Sequence, residues 1–124
     1  TEFNLRRLEA IGQKRYDDVL TGLEFKNNLA ESILRSPDKN ITILLRQDKS
    51  FKHTVLYIPE SKNTVCIEPQ TSSTDAFNLF NKGIKESTPV ILKPGKVFRT
   101  YMEIEAIINK EKLSLSLRMR APPK

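Results

Sequence analysis

Tryptophan is absent from the 124 residues, and histidine and cysteine occur once each. Cys66 therefore has no partner for an internal disulfide, and with His53 as the lone imidazole a transition-metal site would need carboxylates almost alone. No metal and no cofactor is expected. Cys66 lies in the apolar stretch Val65-Cys66-Ile67, where a thiol acts as a small hydrophobe. Only four glycines are present, and no Gly-rich phosphate loop or obvious Ser-His-Asp set can be traced. No apolar run approaches the roughly 20 residues that cross a bilayer as a helix, and Thr1-Glu2-Phe3-Asn4 lacks the basic-then-apolar order of a signal peptide. A cytoplasmic protein with no membrane partner is the expectation. The opening Thr1 in place of Met suggests a processed chain or a piece of a longer one.

What the chain does contain is an ordinary globular balance, 38% hydrophobic and 29% charged, at a length suited to one domain. The net charge of +6 is unevenly spread. Residues 110–124 hold five Lys/Arg against Glu111 alone, while 1–109 are close to neutral. The chain thus divides into a main portion, 1–109, and a basic C-terminal edge strand and tail, 110–124. Nucleic-acid binders spread a basic stripe over a folded face and add stacking aromatics. No aromatic lies in this tail, so a nucleic-acid partner is not expected.

Short apolar runs broken by turn residues predict an all-β chain, an antiparallel β-sandwich with few short helices. Residues 40–46, 53–58 and 64–68 read as three consecutive antiparallel neighbours, the second stopped by Pro59 and the third by Pro69. Residues 71–82 read as a loop with one helical turn begun by Thr74 or Asp75. Val90 to Leu92 has a buried character, Lys93-Pro94-Gly95-Lys96 predicts a type II turn, and 97–108 reads as a long strand. Residues 112–120 alternate cleanly, as an edge strand does with one wet face. Phe3 to Ile11 fits a short helix or a strand equally well.

The chemistry-bearing stretch is Val65-Cys66-Ile67-Glu68-Pro69-Gln70-Thr71, followed by Thr74-Asp75-Ala76-Phe77-Asn78. A carboxylate at the end of an apolar strand, fixed by a following proline, is expected to be partly dehydrated and suited to general-base work. The alternative is a surface Glu paired with a Lys.

Glu-Pro-Gln-Thr, then Thr-Asp-Ala-Phe-Asn, then the Leu92-Lys93-Pro94-Gly95 turn resemble, in order and spacing, the C-terminal part of the aldose 1-epimerase (galactose mutarotase) family. Upstream, Phe3-Asn4-Leu5-Arg6 and Tyr16-Asp17-Asp18-Val19 resemble two further elements of that family. Residues 51–59 are similar to the strand that it places before the catalytic one. The resemblance spans roughly residues 3–105, and Glu-Pro-Gln is its most specific block. It implies a portion of a large two-sheet sandwich, the family's supersandwich, and an isomerase that binds a hexose and interconverts its anomers. Glu68 would be the general base, Asp17 would bind sugar hydroxyls with Asp18 and Gln70 beside it, and Asp75 would support its own loop. The family's acid is a histidine from earlier in its sequence. None stands at such a position here, and His53 reads as a structural strand residue. The chain alone is thus expected to be weak or inactive, and to associate with a missing N-terminal portion or with itself. An inactive sugar-binding or regulatory module, and an interaction protein with a basic tail, are the alternatives.

Overall fold

The computed structural model describes residues 4–61, 63–108 and, for their backbone, 111–115. Within them the strands are β1 (Asp17–Leu20), β2 (Leu29–Ser36), β3 (Ile41–Asp48), β4 (His53–Tyr57), β5 (Cys66–Gln70), β6 (Met102–Ile108) and β7 (Glu111–Leu115). A six-residue helix, α1 (Ala76–Asn81), and a 3-10 turn at Lys85–Ser87 complete the described elements. One sheet has the order β1-β4-β5 and the other β2-β3-β6-β7, and every pairing is antiparallel. The fold is all-β and sandwich-like, as the sequence predicts.

Alternation along the strands assigns the faces. On β1-β4-β5 the inward side carries Tyr16, Thr54 and Ile58, all buried, and on the other sheet it carries Ala30, Leu45 and Gln47. A polar tie joins the two: Thr54 donates its hydroxyl hydrogen to Gln47 Oε1 at 2.8 Å, and Gln47 Nε2 donates to the His53 carbonyl at 3.2 Å. The 1% exposed Gln47 is tolerated in the core because its amide is hydrogen-bonded from both ends.

The three strands expected as consecutive neighbours are divided between the sheets. β4 pairs with β5, but β3 pairs with β2 and β6. The corner between β3 and β4 is fixed by Asp48, whose carboxylate accepts from Ser50 N–H at 2.7 Å and from the Thr100 hydroxyl and Tyr101 N–H at 2.9 Å. Strand β2 has no counterpart among the strands that the sequence predicts. Its inner positions include Ser32 and Ser36 and its outer ones Ile33, which blurs the alternation.

Pro69 does not end β5, which continues to Gln70; as an edge strand it accommodates a residue without an N–H. Residues 90–92 form no strand and are exposed, Ile91 at 69%, so their apolar character does not reflect burial. Residues 97–101 are irregular and the final long strand starts at Met102, because Asp48 takes the Tyr101 N–H on its side chain. Residues 4–15 are neither helix nor strand. The 93–96 turn has the expected form, with Lys96 N–H bonded to the Lys93 carbonyl at 3.0 Å and Gly95 at φ +73°. Helix α1 follows Asp75, which takes a left-handed conformation and accepts from Asn78 Nδ2 rather than capping the helix. The backbone of β7 pairs with β6, and the rest of the basic tail lies outside the described residues.

Candidate functional site

The candidate residues meet on the β1-β4-β5 sheet. Register places Asp17 beside Tyr57 and Tyr57 beside Cys66, with Val19, Val55 and Glu68 in the next outward row and His53 beside Gln70 in the row beyond. Asp17, Glu68 and Gln70 therefore share the outward face. Asp18 is on the opposite, inward side and is half-buried, so the structure separates it from the other three. Two inter-strand spacings and two residues of rise put the Asp17 and Glu68 backbones roughly 12 Å apart.

Asp17 and Glu68 are both exposed and Gln70 is half-buried. The dehydration expected of a strand-end carboxylate is thus missing at Glu68 in this chain. Its β4 neighbour Val55 and the half-buried Cys66 give the face an apolar floor. Tyr57, 39% exposed, stands between Asp17 and Cys66 and has no place in the sequence-predicted site, while the Gln70 amide lies two rows further along the face; an exposed aromatic beside a carboxylate can stack a ligand that carries both C–H and O–H groups.

Beyond Gln70 the chain makes an excursion over one end of this face and returns at 84–88. Ser73 N–H bonds to the Ser87 carbonyl at 3.0 Å, the Ser87 hydroxyl donates to the Ile84 carbonyl at 2.7 Å, and Thr88 donates to the Thr71 carbonyl at 2.9 Å. His53 lies under this return, 3% exposed, with Nε2 at 3.0 Å from Thr88 Oγ1. It is a structural residue, as its strand position predicts.

On the outer side of the second sheet, Glu31, Arg46 and Glu103 form one cross-strand row. Arg46 donates to Glu31 at 2.7 Å, to Glu103, and to the 3% exposed Glu105 at 2.9 Å. Burial works against the guanidinium charge, but the hydrogen bonds it donates to Glu31 and Glu103 outweigh it and raise the Arg46 pKa. Spacing along the sequence could not reveal this row, since it exists only once the register is set. A depression of about 300 Å³ lined by Leu34, Ile41, Ile43, Asn63, Thr64 and Val65 contains none of the candidate residues. Among the described residues no group of three or more His, Cys, Asp or Glu is placed to hold a metal ion, and no helix is long and apolar enough to cross a membrane.

No protein-family model, curated protein or solved structure matches this chain.

Proposed function

We propose that the outward face of the β1-β4-β5 sheet is a carbohydrate-binding surface of the aldose 1-epimerase type, with Glu68 as its general base. One observation carries the reading. The segment around Asp17, more than 30 residues upstream, lies beside the consecutive strands of 51–59 and 66–70, and Asp17, Glu68 and Gln70 emerge on one side of them. A hexose stacked on Tyr57 would meet the Asp17 carboxylate at one edge and extend toward Glu68 in the next row, with Gln70 one row further on. Glu68 would take the C1 hydroxyl proton while the C1–O5 bond breaks and O5 gains a proton from water. Rotation about C1–C2 and reclosure on the other face then give the second anomer.

Because Glu68 is exposed, fast turnover requires a further surface laid over this face, either another segment or a second copy. The chain alone is expected to bind a hexose weakly and turn it over slowly. A second reading, sugar binding without catalysis, is favoured by the placement of His53: the only imidazole in the chain is buried beneath Thr88 and unavailable as the acid. Mutarotation of pure α-D-glucose and α-D-galactose, followed by polarimetry beside an NMR binding titration, separates the two. Binding with acceleration that Glu68→Gln abolishes supports catalysis; binding with none supports the inactive module; no binding removes both.

A further inference from the structure

His53 and the return of the excursion form a device that does not depend on what the outward face binds. Thr88 has one hydroxyl proton, and it goes to the Thr71 carbonyl at 2.9 Å. Toward His53 Nε2, 3.0 Å away, the same oxygen acts only as an acceptor. The ring must therefore carry its hydrogen on Nε2, leaving Nδ1 as the bare nitrogen. Nδ1 is buried and makes no hydrogen bond. Thr88 itself sits at φ +47°, an unfavourable conformation for a β-branched residue that persists only while its surroundings hold it.

We propose that His53 is a positioning residue whose neutral Nε2–H form latches the 71–88 excursion onto the end of the β4–β5 pair, and that acid opens this latch locally. Protonation would place a charge and a second ring N–H inside the closed latch, whereas the opened ring is hydrated. The surroundings offer little compensation. Opposite on β5 is the neutral Gln70 with exposed Glu68 one row away; the return brings Lys85 and Glu86, both exposed. The neighbouring end of β3 brings Gln47 and an Asp48 already engaged by Ser50, Thr100 and Tyr101, and Lys52 beside His53 is exposed. Burial accordingly lowers the ring's pKa below the ordinary 6.5, the Glu86 backbone carbonyl acting weakly the other way. With the closed-state value depressed, the opened state binds the extra proton first. The latch is therefore intact above about pH 6.5 and loses up to tenfold in its closing equilibrium per pH unit below it, until the ring also titrates in the closed state.

The sole histidine makes the test direct. Long-range proton–nitrogen NMR at about pH 7.5, a pH at which the imidazole is neutral, should show the hydrogen on Nε2. Amide exchange, expressed as protection relative to intrinsic rates, should then show residues 71–74 and 84–88 losing up to tenfold per unit toward about pH 5, with β2–β3 unchanged. His53→Gln, which keeps a donor near Nε2 but cannot titrate, should flatten that dependence. Thr88→Val should lower protection of both segments at every pH. A hydrogen on Nδ1 at neutral pH, or protection in 71–88 that is independent of pH, would overturn the proposal. So would a His53→Gln protein with the wild-type pH slope.

Discussion

Removing the cation at the centre of the Arg46 row tests the energetics of the larger sheet. In Arg46→Met the stem's packing is largely kept, and the charge shared by Glu31, Glu103 and Glu105 is lost. The three carboxylates do not count equally. Glu31 and Glu103 side chains are 41% and 38% exposed, so each pairing is screened by water and contributes at most about 1 kcal/mol. Glu105 is 5% exposed at its side chain, and withdrawing a partner from a buried charge costs about 3–5 kcal/mol where no water reaches it. Arg46 is itself 22% exposed, which moderates that figure, and about 2–3 kcal/mol overall is expected. For a domain of this size that lowers Tm by about 8–12 °C, measured by circular dichroism at neutral pH. Adding Glu105→Gln to Arg46→Met should recover about half of the loss, because the uncompensated buried charge is then gone. A Tm for Arg46→Met within a degree or two of wild type would refute this reasoning. So would a double variant no more stable than the single one.

Further consequences follow from the tie between the sheets and from the β3–β4 corner. Thr54→Val removes the donor to Gln47 Oε1 in the core and should cost about 1–3 kcal/mol in denaturant unfolding, with Thr54→Ser nearly neutral. Burial opposes ionisation of Asp48, but the backbone bonds from Ser50 and Tyr101 and the Thr100 hydroxyl bond win and lower its pKa from 3.8. Its stabilising contribution is thus complete above that value and fades as pH falls through the lower, folded-state value. Asp48→Asn should be less stable at neutral pH by about 1–2 kcal/mol and show a shallower acid-unfolding slope. Gly95→Ala forces a side chain into φ +73° with no neighbour within 4 Å and should cost about 1 kcal/mol through backbone strain alone.

Elements that stand as short apolar runs between turn residues, such as β3, β4 and β5, were legible in the sequence. Turn chemistry placed Pro94-Gly95 correctly, since its backbone demand is local. Long-range facts were not legible. Ile41–Asp48 looks like a natural neighbour of His53–Tyr57, yet the Asp48 carboxylate binds Ser50, Thr100 and Tyr101 and sends the chain into the other sheet. Strand β2 was hidden because Ser32 and Ser36 face inward while Ile33 faces out at 45% exposure. Of the candidate site, Asp17, Glu68 and Gln70 are grouped in the sequence only through the family resemblance, since no strand is predicted over Asp17–Leu20; the register places them on one face of one sheet. Asp18 enters the set through the same resemblance, and strand alternation separates it from the other three. Glu68 is exposed rather than dehydrated, because it points outward from an edge strand where water reaches it.

The most direct measurement is the mutarotation rate of α-D-glucose and α-D-galactose with the wild-type chain and with Glu68→Gln, each verified as folded. The account predicts a small but real acceleration that Glu68→Gln reduces by about 10²-fold or more, while Asp18→Asn leaves it intact. Acceleration equal in wild type and Glu68→Gln, or no hexose binding to either, would contradict it.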